Sequence, residues 1–218
     1  MFFIPGTHKE HGLPYSPLKA IVTPRPIGWI STIDKEGRPN LAPYSFFNAI
    51  SELPPMVGFS ASPVMDPDGA PREKDSLINV RETGEFVVNI VSAAQTKAMS
   101  DSSATLDHGV SEFDFAGLNP IASEKVKAPR VEGAPCHLEC ELWDILPLPE
   151  MPNGERNHWV MGKIIGIHID ESVLTEDGKV DVLKFNPVAR LGYKDYSQVN
   201  DVFELERPGG DKEALGRA

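Results

Sequence analysis

Cysteine is almost absent: Cys136 and Cys140 are the only two in 218 residues. On an extended strand Cys136, Leu138, Cys140 and Leu142 share one face, and His137, Glu139 and Glu141 share the other. The two thiols therefore read as small core residues. A metal centre would need further ligands at suitable spacing, and the neighbouring sequence offers none. Long apolar runs are missing as well, so no segment is suited to crossing a membrane as a helix. The N-terminal stretch is apolar only briefly and lacks the charged start of a secretion signal. A cytoplasmic protein with no membrane attachment is expected.

Basic residues are scarce, 21 against 32 acidic ones, and the net charge is −11. That balance argues against nucleic acid as a partner, because duplex binding depends on neutralising phosphates. An anionic ligand would need local cations to overcome the global field. No Gly-x-Gly-x-x-Gly follows a strand, so a Rossmann dinucleotide site is excluded. No Ser-His-Asp order or nucleophile elbow is present either. Without internal repeats or a low-complexity linker, residues 1–218 read as one domain, with a core of about 15–200 and a C-terminal tail at 201–218.

What is present is punctuation. Twenty prolines and 18 glycines suit a chain that turns often, as an antiparallel β protein must. Strands are expected at 20–22, 27–33, 40–42, 56–60, 85–91, 136–146 and 160–170. A two-turn helix at 75–82 is closed by Gly84, and Ser92 with Gln95 reads as a capping box opening a second helix toward Ser100. Long irregular stretches at 61–74 and 102–135 are of the kind that carries function or covers something, and 147–156 reads as a hairpin insertion. The fold class is mainly β with a few helices. A closed or partly closed Greek-key barrel suits it, although the pattern alone does not separate barrel from sandwich.

One segment is unusual. Pro24-Arg25-Pro26-Ile27-Gly28-Trp29-Ile30-Ser31-Thr32 is followed by Asn40-Leu41-Ala42-Pro43-Tyr44-Ser45-Phe46-Phe47-Asn48. Ser45 and Asn48 flank two phenylalanines, the mixture of apolar bulk and placed polar groups that a flat heteroaromatic ligand requires. This pattern resembles the flavin reductase-like family of FMN-binding split-barrel proteins, which includes flavoredoxin and the reductase components of two-component monooxygenases. The likeness continues through Ser51-Glu52-Leu53-Pro54-Pro55, Lys74-Asp75-Ser76-Leu77-Ile78-Asn79, Ser111-Glu112-Phe113 and His158-Trp159-Val160-Met161-Gly162.

The resemblance implies a split β-barrel with flanking helices and bound FMN. Lys74-Asp75-Ser76 stands where a loop enters a helix, and amides there favour an anion. From spacing alone this is an ordinary N-cap with a solvated lysine; the resemblance makes it the FMN phosphate site. Arg25, fixed between prolines, is expected at phosphate or ribityl, although alone it reads equally as a surface charge. Ser45, Phe46, Phe47 and Asn48 are expected at the ring system, with Ser31, Thr32, Ser60 and Ser62 behind them. At least one phenylalanine is expected to be plain core, and Ser31 and Thr32 read equally as edge-strand polar residues. Arg190 and Tyr193 are carried over from the family's C-terminal block, where Tyr193 and Tyr196 read equally as anchors of a tail. His158 is the catalytic candidate, either contacting a nicotinamide or merely capping a strand.

The activity implied is reduction of flavin by NADH or NADPH, a hydride passing to flavin N5 and the electrons going on to an acceptor. The alternatives are a non-enzymatic FMN electron carrier reduced by another protein, and a barrel that binds a different aromatic ligand. A homodimer is expected from the family and from the apolar inventory of 56–60 and 85–91. An oxygenase is a further expected partner.

Overall fold

The computed structural model describes residues 1–65, 69–106 and 110–205. Seven antiparallel strands make the main sheet: β1 (Gly28–Ile33), β2 (Pro39–Tyr44), β3 (Phe47–Ser51), β4 (Met56–Ala61), β5 (Glu85–Ile90), β6 (Cys136–Pro147) and β7 (His158–Ile169). Their order is β2-β1-β5-β6-β7-β4-β3. The two edge strands, β2 and β3, are consecutive in the chain and joined by Ser45 and Phe46 alone. A flat seven-stranded sheet would hold its edges ~29 Å apart at ~4.8 Å per strand. Three Cα steps span at most ~11 Å. The sheet must therefore curl until its edges meet; within the link, Phe46 O accepts from Ser60 N at 2.8 Å, continuing the β3–β4 ladder past Phe47 and Phe59. Barrel and sandwich, left open by the pattern, are separated by this two-residue link.

The curl encloses Ile30, Tyr44, Phe47, Phe59, Phe86, Val88, Cys140 and Val160, and Leu77 and Val80 of α1 (Asp75–Thr83) close one side. Glycine lets backbones approach inside it: a Cβ on Gly162 would lie 2.4 Å from Phe86 Cζ. A second cluster, including Trp29, Leu41, Met99, Phe113 and Val131, lies beneath the irregular segment that follows β5. β1 is thus buried on both faces, which is why its polar residues Ser31 and Thr32 are enclosed.

Three expectations are corrected. Residues 20–22 are not a strand; Leu18–Ile21 is a single exposed helical turn following Pro17. So short an apolar run carries no period to decide between the two. Ser92 makes no side-chain cap, and Gln95 instead donates to Glu132 O at 3.2 Å, so the segment splits into a 3₁₀ turn (Ala93–Gln95) and a helix (Thr96–Asp101). Phe47–Ser51 is a strand that the polar-aromatic composition concealed. The stretches 61–74 and 102–135 contain short hairpins, Val64–Met65 with Pro71–Arg72 and Pro120–Ile121 with Arg130–Val131. Residues 66–68, 107–109 and most of the expected tail, 206–218, lie outside the described residues. Both cysteines are free, Cys140 fully buried and Cys136 half-buried at the start of β6.

Candidate functional site

Helix α1 begins beside the β2 edge. Lys74 is its N-cap in extended conformation, with Leu77 N and Ile78 N bonded to Lys74 O at 2.9 and 3.1 Å, and no side chain caps the turn. Gly84, at φ 74, closes the other end. The start of α1 faces a cavity of about 80 Å³ whose walls include Asn40, Arg72, Lys74, Ser76, Thr105 and Glu112. The Lys74 ammonium lies over the Tyr44 ring, and the Tyr44 hydroxyl is hydrogen-bonded to Ser76 Oγ. Arg72 pairs with Asp75 at 3.5 Å. Burial pushes the Lys74 ammonium below its ordinary value, Glu112 draws it back up, and Arg72 pushes it down again. Among the described residues no carboxylate stands within ion-pair distance of Lys74.

Past Tyr44, which meets Lys74 and Ser76, the chain enters the Ser45–Phe46 link. Phe46 is 39% exposed, with the Arg25 guanidinium 5.8 Å from its ring centroid, whereas Phe47 turns into the barrel core. Ser60 stands at the end of β4 beside this link, and Ser62 is exposed just beyond it. His158 opens β7 opposite Ala61 and is close enough to Glu73 to lower that carboxyl, whose main partner is Arg81 at 2.5 Å. Asn48 is exposed, and its Oδ1 accepts from the neighbouring Ala49 N at 2.9 Å.

Other candidates are engaged within the fold. Arg25 is 5% exposed and donates to Lys19 O, to Val22 O at 2.6 Å and to Leu191 O at 2.8 Å, so three carbonyls occupy its guanidinium. It reaches the site only through the face of Phe46. Ser31 donates to Pro129 O and accepts from Asn89 Nδ2 at 3.0 Å; Thr32 accepts from Asn79 Nδ2 at 3.0 Å, tying α1 to β1. Both are fully enclosed. Arg190 pairs in register with Arg25, stacks 4.4 Å from the Tyr196 centroid and donates to Tyr193 O. The Tyr193 ring rests against Tyr15 at 5.8 Å. The fold thus places Lys74, Asp75 and Ser76 at the cavity, Ser45, Phe46, Ser60 and Ser62 at or beside the link between β2 and β3, and His158 opposite Ala61, with Arg25 paired to Arg190.

Sequence reasoning missed Tyr44, Arg72, Glu112 and Thr105. The signal available was indirect: Arg72, Thr105 and Glu112 lie in the two long irregular stretches already marked as functional or covering. The donor set suits a phosphate, with an uncapped helix start, an ammonium that makes no ion pair among the described residues, and the Ser76 and Thr105 hydroxyls in one cavity. Phe46, exposed in the link that follows Tyr44, suits one edge of a flat ring system.

A curled antiparallel barrel with this cavity at its rim places the protein in the split-barrel class of cofactor-binding folds. The model of the flavin reductase-like domain matches residues 21–195, and the chain belongs to that FMN-binding family. An uncharacterized protein from Aquifex aeolicus is 38% identical over 182 residues, covering 84% of this chain and 88% of its own. Nitrilotriacetate monooxygenase component B from Bacillus cereus superposes with a TM-score of 0.81 at 29% identity, covering 94% of this chain and 98% of that one. A proposed flavin reductase with a split barrel domain from Shewanella frigidimarina superposes at 0.76 with 21% identity, over 95% of this chain and 100% of that one. The last comparison speaks to the fold alone. Among the described residues no helix is long and apolar enough to cross a membrane.

Proposed function

We propose that this protein binds FMN and catalyses reduction of the flavin by NADH or NADPH in the cytoplasm. The observation that carries the proposal is the uncapped start of α1 with Lys74 and Ser76 facing one cavity. Bound flavin supplies the chemistry, since a hydride leaving the dihydronicotinamide is accepted at N5 without a protein nucleophile or general base. The residues have to position and neutralise. Lys74 and Ser76 hold the phosphate, the Ser45–Phe46 link and Ser60 align one edge of the ring, and His158 stands at the rim where a nicotinamide would approach. The ring would lie across an open rim in one copy, which favours a homodimer that covers it. A monomer mass by light scattering with FMN bound would refute that part. Reduced flavin would pass to oxygen, free flavin or an oxygenase partner.

The test is an anaerobic visible spectrum of the purified protein with FMN, before and after NADH and then NADPH. Flavin bands that bleach within seconds support a reductase and name its donor. Bands that persist until dithionite is added mean an electron carrier instead.

A further inference from the structure

The cavity that would take the flavin phosphate is not simply cationic. Among the described residues its walls carry two cations, Arg72 and Lys74, and two carboxylates, Asp75 and Glu112. Arg72 and Asp75 are already paired. The charge that phosphate meets thus depends on Lys74 against Glu112. Glu112 is 8% exposed, and one oxygen accepts from Leu41 N at 3.1 Å, which holds the carboxyl in the wall.

We propose that Glu112 takes up one proton as the phosphate enters, so that FMN is held with Glu112 neutral. The inference rests on the flavin-phosphate reading above. With the carboxylate ionised, the side-chain charges described around the cavity cancel and a phosphate dianion, drawn in by the helix start and the hydroxyls, sits beside a fixed like charge; with it protonated, Lys74 faces no described opposing charge besides the paired Asp75, and the acid can donate to a phosphate oxygen. The described ionisable groups that face Glu112 are Tyr44, Arg72, Lys74 and Asp75; Asp114, on its own turn, is exposed. Burial already pushes the Glu112 carboxyl above the usual range, opposed by the Leu41 amide and Arg72 and reinforced by Asp75. A bound phosphate adds to that push.

The experiment compares FMN with riboflavin, which lacks the phosphate, between pH 5.5 and 8.5 in the native protein and in Glu112→Gln. The glutamine keeps an oxygen for Leu41 N. In the native protein the preference for FMN is expected to fall by about tenfold per pH unit once free Glu112 is ionised, the slope of one linked proton. In Glu112→Gln that fall should vanish, leaving a tighter FMN complex and unchanged riboflavin affinity. The second ionisation of phosphate, near pH 6, acts in the opposite direction and equally in both proteins. Calorimetry of the native protein in buffers of different ionisation enthalpy checks the proton count without any variant. Equal pH slopes in the two proteins, or no proton uptake, would overturn this inference while leaving FMN binding intact. Failure of both flavins to bind at every pH would remove the flavin reading and this inference together.

Discussion

The Lys74 ammonium lies 4.9 Å from the centroid of the Tyr44 ring, held there without a carboxylate partner among the described residues. The ring faces the cation and its hydroxyl reaches Ser76, so one aromatic side chain organises both groups proposed to hold the phosphate. A cation over a ring is modest support, about 0.5–1 kcal/mol where partly solvated. Lys74→Ala should therefore leave the melting temperature of the flavin-free protein nearly unchanged. FMN affinity should drop by about 1–3 kcal/mol, the loss of a charge-assisted hydrogen bond. Fluorescence titration and thermal melts measure the two separately. A sharp loss of stability with FMN affinity intact would make Lys74 structural.

Arg25 should behave in the opposite way. Its guanidinium bridges Lys19 O, Val22 O and Leu191 O, joining the Leu18–Ile21 turn to the C-terminal segment. A lysine cannot reach three divergent carbonyls from one ammonium without leaving some unpaired. Arg25→Lys is expected to cost about 1–3 kcal/mol of stability and to weaken FMN binding less than Lys74→Ala does. Urea denaturation alongside flavin titration distinguishes them. A large affinity loss with stability kept would restore Arg25 as a direct ligand.

This contrast shows what the sequence could and could not disclose. Strands β1, β2, β4, β5, β6 and β7 announce themselves by alternation bounded by turn residues, and Gly84 correctly closes α1. The helix start at Lys74–Ser76, proposed above as the phosphate site, was legible because a helix start is a local feature. Arg25, Ser31 and Thr32 were drawn toward the ligand by adjacency, yet their partners Leu191, Pro129 and Asn79 lie far along the chain. Nothing local distinguishes a hydroxyl that meets a ligand from one that meets a distant carbonyl. Glu112 was invisible for the same reason, since its place in the cavity depends on an amide of β2.

Glu139 makes a prediction about pH. It is fully buried and accepts from Glu124 N, Lys125 N and Val126 N at 2.8, 2.6 and 3.2 Å, and it is paired with His168 Nε2 at 2.5 Å. Burial raises the carboxyl, but these hydrogen bonds outweigh it and hold it below the ordinary value of 4.5. The folded-state value is depressed, so the stabilisation is present above the unfolded glutamate's value and is lost as pH falls through the folded one. Glu139→Gln would set an amide donor against backbone donors and should cost about 3 kcal/mol near neutral pH. It should also flatten the acid limb of the stability profile. Urea midpoints at pH 7 and pH 4 for both proteins check this; parallel acid limbs would assign the pH dependence elsewhere.

The last prediction couples the barrel interior to the cavity. A Cβ on Gly162 would meet Phe86 Cζ at 2.4 Å and Cys140 Cβ at 3.1 Å. Phe86 is wholly buried and cannot yield outward; its ring contacts Phe59 at 5.4 Å, and Phe59 contacts Tyr44 at 4.7 Å. Gly162→Ala should thus push along this stack toward the ring beneath Lys74. Overpacking of this kind costs about 1–3 kcal/mol, and a weakened FMN complex should accompany it. Gly58→Ala provides the comparison: its Cβ would meet Trp159 Cζ2 at 2.7 Å, but that indole is only half-buried and can swing aside. It should cost less and leave FMN affinity where it was. If Gly162→Ala lost stability while binding FMN normally, the aromatic stack would be packing alone, and Tyr44 would be positioned by its Ser76 hydrogen bond rather than from below.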